Sequence, residues 1–373
     1  MTPREKVLKA IENISPGECP MDFGGTAMSL CTSPFLQKMR DVLGFSLPPD
    51  RDIDGEWVDE QIQKYLNVDL RFINHIPPLV LLKEIDYKAY IEIKKSKENI
   101  QKIKDNGIKT FAVRHDFPWK DWTLEDIKKI KPNFSEPPYR YMDWYIKTAK
   151  KYRESGYATT FWVSGGFFEM GCLVRGYDNF AIDLVSEHDI VKTLFDVWLA
   201  EKIHQTETIV KPLAPYIDIF CYGDDWALQE GPFMSPEIYR KIIKPYFIEQ
   251  YKKVHETAPD SMIFHHSCGS TYKLLEDIID IGVDILNPIQ PNAKDMEPEK
   301  LKEKANGRIC FHGGIDLQYL LPFGMPDDVK NEAERRMKIL GENGGYICAP
   351  AHSLPEDVPV ENILALFSAS RIT

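Results

Sequence analysis

From residue 157 to its end, the chain alternates between short apolar runs and longer amphipathic segments. Apolar runs of this length, bounded by glycine, proline or polar residues, predict buried strands. The amphipathic segments predict helices; the clearest begins after Ser235, which can cap it, and Pro245 should kink it. Alternating strands and helices are typical of a parallel sheet. The strands predicted in this part are 158–163, 217–222, 262–266, 283–287, 308–312 and 345–350.

Two further strands are predicted early in the chain, near Met21 and near Phe111. With the later strands they make eight, and this number of strand–helix units in a chain of 373 residues predicts a TIM (β/α)8 barrel. Residues from about 50 to 155 have a less regular pattern, and we interpret them as an inserted, partly helical elaboration in the N-terminal half. The whole chain, 1–373, is predicted to form a single barrel domain.

The predicted strand 262–266 runs into a short sequence of metal-binding residue types: His265, His266, Ser267 and Cys268. Residues two apart on a strand share a face, so His266 and Cys268 can bind one ion while His265 points away. An imidazole and a thiolate are typical zinc ligands, and one more protein ligand would leave a coordination position open for chemistry. An isolated pair fits equally well a buried structural cysteine beside a hydrogen-bonded histidine.

Polar residues gather at the predicted carboxyl ends of the strands, where the active site of a TIM barrel lies. Glycine, asparagine and aspartate also occur there for turn geometry alone, so single residues decide little. His352 is the preferred third metal ligand because it closes the last strand. Cys348 inside that strand is one rival, and an aspartate at 224 or 225 is another. The residues at the predicted ends are Asp22, His115, Asp116, Gly165, Gly166, Asp224, Asp225, His266, Cys268, Asn287, Gln290, His312, Gly313, Gly314, Asp316 and His352.

The composition narrows the classes of partner. With 46 basic and 57 acidic residues the net charge is −11, which argues against nucleic acid or an anionic membrane as the main partner. Seven scattered cysteines do not indicate a disulfide framework. Neither a signal peptide nor a membrane-spanning run is predicted. We therefore expect a soluble, cytoplasmic protein, and the oligomeric state is left open, with a homodimer as one option.

Six groups of residues along the chain form a wider pattern. The groups are Pro20-Met21-Asp22-Phe23-Gly24-Gly25-Thr26; Asp224-Asp225 with Gly231-Pro232 and Ser235-Pro236; His266-Ser267-Cys268-Gly269; Asp284-Ile285-Leu286-Asn287-Pro288; Gly313-Gly314-Ile315-Asp316; and Ala349-Pro350-Ala351-His352 with Pro359, Glu361 and Asn362. Together they resemble the uroporphyrinogen decarboxylase superfamily. Within it, the chain is most similar to the methyltransferases that work with corrinoid proteins. The resemblance covers almost the whole chain and implies a TIM barrel.

The resemblance also implies roles for individual residues, by the positions that match. The metal ligands would be His266, Cys268 and His352. The catalytic residues would be Asp22, Asp224, Asp225 and Asp316, and the substrate-binding residues would be Phe23, Gly24, Asn287, Gln290 and Gly314.

This sequence departs from the pattern of each branch of the superfamily at one place. The decarboxylases carry an arginine-rich segment after the first strand that clamps the substrate carboxylates, but residues 23–30 contain no arginine. The zinc-binding methyltransferases use a His-x-Cys pair and a later cysteine, which His352 replaces here. We expect methyl transfer from a small methylated donor, such as a methoxylated aromatic, to a corrinoid protein, with zinc as Lewis acid. The alternatives are a decarboxylase that needs no metal and a non-catalytic binding module.

Overall fold

Seven strands form one parallel sheet in the computed structural model, which describes residues 1–46, 60–73, 117–134 and 141–372. The strands along the chain are β1 Leu70–Phe72, β2 Ala158–Gly165, β3 Ile219–Gly223, β4 Ala227–Leu228, β5 Gly231–Pro232, β6 Met262–His266, β7 Ile285–Asn287, β8 Cys310–Ile315 and β9 Tyr346–Pro350. The order in the sheet is β1–β2–β3–β6–β7–β8–β9, so each strand of the sheet lies beside the next one along the chain, as in a barrel. The remaining two strands, β4 and β5, form a short antiparallel hairpin after β3.

The extended segment 20–22 closes this sheet into a barrel. On one side Met21 bridges in parallel to Cys348 of β9, with hydrogen bonds from the Asp22 N–H to the Cys348 oxygen and from the Cys348 N–H to the Pro20 oxygen, both 2.9 Å. On the other side the N–H of Asp69, just before β1, donates to the Met21 oxygen at 3.0 Å. The segment is therefore the eighth strand, and the predicted TIM barrel is confirmed.

The second barrel strand differs from the prediction. It was expected near Phe111, which lies outside the described residues, as do His115 and Asp116. The structure forms β1 at Leu70–Phe72 instead, inside the region interpreted as an elaboration. This strand is three residues long and contains Arg71, whose guanidinium is buried over the Tyr157 ring at 3.7 Å, so it lacks an apolar pattern. An elaboration in the parts of 50–155 outside the description stays a prediction.

Helices follow most strands and cover the outside of the barrel. Ser235 accepts the Ile238 N–H at 3.3 Å and caps its helix as predicted. A π-helical turn, Tyr239–Ile243, then precedes Pro245, which cannot donate the next backbone hydrogen bond. None of the helices in the described ranges is long and apolar enough to cross a membrane. The α-helices are Pro3–Ile11, Ser33–Leu43, Glu60–Tyr65, Leu124–Ile127, Met142–Glu154, Phe167–Arg175, Tyr177–Ser186, His188–Gln205, Lys211–Leu213, Pro236–Ile238, Lys244–Thr257, Leu275–Asp280, Pro298–Ala305, Leu320–Phe323, Pro326–Leu340 and Val360–Phe367.

The two-residue period of the strands builds the interior in layers. Alternate residues point inward, and Phe264, Ile285 and Cys310 of neighbouring strands belong to one apolar cluster inside the barrel. Two residues further along each of these strands, toward the carboxyl ends, come His266, Asn287 and His312. The same alternation sends His265 outward, where its ring stacks on Trp226 at 4.2 Å. A polar layer therefore lies directly above an apolar one.

We predict that Phe264→Ala lowers the free energy of unfolding by about 3–5 kcal/mol, because it removes a ring buried in the apolar layer. Phe323→Ala is the matched control, since that ring is 77% exposed and its loss should change stability by less than about 0.5 kcal/mol. Urea denaturation of both variants measures the difference. Equal losses in the two variants would contradict the layered interior.

Candidate metal centre and active site

The polar layer is a continuous chain of hydrogen bonds between side chains. The Nδ1 atom of His266 lies 2.5 Å from Oδ1 of Asn287, and the Asn287 Nδ2 lies 2.8 Å from Nδ1 of His312. The His312 Nε2 in turn lies 2.9 Å from Oδ2 of Asp22 on the closing segment. All four side chains are buried. This chain of hydrogen bonds therefore links β6, β7 and β8 with the first strand of the barrel, residues 20–22.

His266, Cys268 and His352 converge at the open end of this chain. Their candidate ligand atoms all lie within 4.8 Å of one another, and the Cys268 Sγ is 3.4 Å from Nε2 of His266. Two imidazoles and a thiol are a donor set that suits zinc, and three protein ligands leave one position open. Among the described residues, no other group of three or more His, Cys, Asp or Glu meets this criterion. Cys348 is fully buried inside β9 and is not part of the group.

The adjacent acids after β3 serve different neighbours. Asp225 accepts the backbone N–H of Cys268 at 2.7 Å, and its Oδ1 lies 3.6 Å from Nε2 of His266. Asp224 is fully buried and accepts the N–H groups of Phe168 and Glu169, both at 2.8 Å, at the start of a helix. Asp225 thus holds the loop that carries the thiol, whereas Asp224 caps the helix after β2.

A pocket of about 160 Å³ opens beside the three candidate ligands. Its walls combine proline and aliphatic surfaces with uncharged amides, and Asp316 is the one carboxylate in the part of the lining that the structure describes. Both Asp316 oxygens are engaged, since they accept hydrogen bonds from Asn292 and from the N–H groups of residues 318, 319 and 320. The lining residues are Cys268, Pro288, Gln290, Pro291, Asn292, Asp316, Leu317, Gln318, Ala351 and His352.

Comparison with known proteins shows to which family this barrel belongs. The family model for uroporphyrinogen decarboxylase (URO-D) matches residues 116–372, more than two thirds of the chain. The chain belongs to the uroporphyrinogen decarboxylase family. No curated protein sequence matches it at a significant level.

One of the similar solved structures shares the fold of this uroporphyrinogen decarboxylase family member. A methyltransferase from Methanosarcina mazei is 15% identical with a TM-score of 0.60, and the match covers 98% of this chain and 97% of that one. The match to xylanase 10B from Thermotoga maritima is 10% identical with a TM-score of 0.40 and covers 62% of this chain and 79% of that one. At these identities the first match shows the barrel fold alone, and the second is too weak to support a conclusion.

Several residues assigned from the family resemblance lie away from the pocket. Phe23 is fully buried and packs its ring against Phe35 and Phe367, with centroids 6.4 and 6.2 Å apart. Gly24 forms a tight turn at φ 71°, and Gly314 has φ 86° within β8. Asn287 and Asp22 lie in the buried chain of hydrogen bonds. Of the predicted substrate-binding residues, Gln290 lines the pocket, where its Oε1 accepts the Gly269 N–H at 2.8 Å.

Two residues at or near the site, His312 and Glu169, had no role predicted from the sequence. His312 was noted at a strand end, and its spacing of two residues from Cys310 is the signal that places it in the inward row. Glu169 lies in the first turn of the helix Phe167–Arg175. Burial, and then the charges of Asp224 and Asp225, raise its pKa to about 8. Its sequence context is that of an ordinary helix-starting acid, so no pattern distinguishes it.

Of the three candidate ligands, the two histidines are in the protonation state that metal binding needs, and the cysteine is not. Burial lowers the pKa of His266 and, together with the neighbouring His266, lowers the pKa of His352 to about 4, so both imidazoles are neutral at pH 7. Burial and the Asp225 carboxylate raise the pKa of the Cys268 thiol to about 12. In the metal-free protein Cys268 is therefore a thiol, and its proton must leave when a metal binds.

We predict that zinc affinity rises about tenfold per pH unit between about pH 7 and 8.5, because binding releases the one Cys268 proton while both histidines are already neutral. Chelator competition at several pH values measures this slope. The variant Cys172→Ser, which alters a buried thiol outside the group, should keep the slope. A zinc affinity independent of pH over this range would exclude thiolate coordination.

Proposed function

We propose that this protein is a zinc-dependent methyltransferase that moves a methyl group from a small methylated donor to a corrinoid protein. The observation that supports this most is the convergence of His266, Cys268 and His352 beside a small pocket at the carboxyl ends of the barrel strands. A soft, electrophilic metal suits the activation of a methylated oxygen, nitrogen or sulfur. Decarboxylation of a pyrrole side chain does not need one.

Zinc, when bound, would supply Lewis-acid polarisation of the donor heteroatom and so stabilise it as a leaving group. His266 and Cys268 would hold it through Nε2 and Sγ. The lone pair on Nδ1 of His352 accepts the Ser353 N–H at 2.8 Å. A neutral imidazole has one N–H and one lone pair, so His352 can coordinate only after this contact breaks. His352 is therefore the ligand whose engagement depends on the loop after β9.

The pocket supports a small donor without several negative charges. Among the described residues that line it, none is lysine or arginine, so several carboxylates would find no partner. Its volume of about 160 Å³ is close to that of a cavity of roughly 150 Å³ that accepts benzene in another protein. Pro288, Pro291 and Leu317 offer flat apolar contact surface for a single ring. A methoxylated aromatic of one ring fits these properties.

The methyl acceptor in this proposal is the reduced corrinoid of a partner protein docked at the mouth of the barrel. The bond between the methyl carbon and its heteroatom breaks, and the heteroatom keeps the electron pair. The methyl group would pass to the corrinoid, which would supply the electron pair for the new bond. The pocket residues of this protein orient the donor and exclude water, and Gln290 presents its amide beside Cys268.

The two alternatives are less well supported. A metal-free decarboxylase would need cations for its substrate carboxylates, and residues 23–30 supply none. A non-catalytic docking module would not need an imidazole–thiol cluster at its mouth, because burying such groups costs stability unless they are paired or used.

We predict that Cys268→Ala lowers the bound zinc of purified protein well below one per chain and reduces demethylation by at least about 100-fold, since it removes the thiolate ligand. Elemental analysis gives the zinc content. Turnover is followed with reduced corrinoid protein and a panel of methoxylated aromatics, methylated amines and thiols. Cys172→Ala serves as the matched control, because that cysteine is buried but lies outside the group.

A parallel assay with porphyrinogen separates the two enzymatic hypotheses. The proposal expects no decarboxylation by the wild-type protein. Porphyrinogen turnover that survives Cys268→Ala, or full zinc content in that variant, would contradict the proposed function.

A further inference from the structure

The buried hydrogen bonds from His266 to Asp22 have a defined donor-to-acceptor direction, and the orientation of the Asn287 amide determines it. Its Nδ2 lies 2.8 Å from Nδ1 of His312 and 3.4 Å from the His312 carbonyl oxygen. A carbonyl oxygen only accepts hydrogen bonds, so the amide nitrogen, not the amide oxygen, must face His312. The Asn287 Oδ1 therefore faces His266, and the bond of 2.5 Å must be donated by the Nδ1–H of His266.

The other end of the chain agrees with this direction. Because Nδ1 of His312 accepts from Asn287, its proton lies on Nε2 and is donated to Asp22 at 2.9 Å. The Asp22 carboxylate also accepts the Gly25 N–H at 2.8 Å and the Ser29 hydroxyl at 2.6 Å. It is thus held in place by donors on a tight turn. Each member of the chain can bind its neighbours in one orientation only.

We propose that Asp22, His312 and Asn287 are positioning residues that select Nε2 of His266 as the metal-coordinating nitrogen. A free neutral imidazole exchanges between two tautomers. Here the proton is fixed on Nδ1, so the lone pair of Nε2 faces the Cys268 Sγ at 3.4 Å. Hydrogen bonds of this kind fix the tautomer and ring orientation of metal ligands and increase their basicity. Asp22 on the first strand thereby orients His266, a candidate metal ligand on β6 across the barrel.

The two candidate histidine ligands differ in this respect. His352 has its Nδ1 lone pair bound to the Ser353 N–H, so its proton lies on Nε2 and no chain prepares it for coordination. His266 is therefore the imidazole of the site whose coordinating nitrogen is fixed before a metal binds.

The test is the tautomer of His266 in metal-free protein labelled with [¹⁵N]histidine, read from two- and three-bond ¹H–¹⁵N correlations. The wild-type protein should show Nδ1 protonated and Nε2 unprotonated, and His266→Gln assigns the resonances. Asn287→Leu removes the acceptor and should give a mixture of tautomers or Nε2–H. Asn287→Asp keeps an oxygen facing His266 and should retain Nδ1–H. Asn362→Leu is the control, since this buried asparagine bonds to Leu321 and Gly324, outside the chain.

Zinc affinity, measured by chelator competition, is the second readout, and this arm alone rests on the proposed function. Asn287→Leu should weaken zinc binding by about 10–100-fold, with Asn287→Asp closer to the wild type and Asn362→Leu unchanged. An Nε2–H tautomer of His266 in the wild-type protein would overturn the inference. Retention of Nδ1–H in folded Asn287→Leu would also overturn it. A wild-type protein that shows the expected tautomer but binds no zinc would contradict the proposed function, and the three residues would then fix the tautomer of His266 without positioning a metal ligand.

Discussion

The backbone hydrogen bonds that insert residues 20–22 between β9 and β1 are the constraint on which the rest of this site depends. They join the N-terminal part of the chain to its last strand, through Asp22 and Cys348 on one side and Met21 and Asp69 on the other. Because the sheet is closed, the carboxyl ends of β6, β7, β8 and β9 face the same mouth as the turn after Asp22. The candidate metal ligands and the carboxylate that ends the buried chain come together for this reason.

The strand period then determines what the mouth contains. A shift of one residue in β6 would turn His265, which now stacks on Trp226 outside the barrel, into the polar layer. His266 and Cys268 would then leave that face together, and the pair of candidate ligands would be lost from the mouth. The pairing of His266 with Asn287 across β6 and β7 fixes which side chains touch. Buried polar groups are tolerated there because each is hydrogen-bonded, and the same bonds restrict each group to one orientation.

The sequence pattern predicts the barrel and the His266–Cys268 pair well, because both follow from periodicity within single segments. It does not find β1, since Arg71 interrupts a strand of three residues and is stabilised by the ring of Tyr157, far along the chain. The roles of Asn287 and His312 depend on which strands are neighbours and in what register, which no single segment contains. Asp316 looks like a catalytic acid from its place at a strand end. The loop geometry shows that its oxygens already accept four hydrogen bonds.

The central claim is that His266, Cys268 and His352 together bind one zinc ion at this mouth. Zinc K-edge X-ray absorption of the metal-loaded protein tests it most directly, because sulfur and nitrogen ligands differ in distance. The account predicts one sulfur at about 2.3 Å and two imidazole nitrogens at about 2.0–2.1 Å, with a fourth light-atom ligand. The sulfur contribution should disappear in Cys268→Ser. A zinc shell with no sulfur, or with two, would contradict the assigned ligand set.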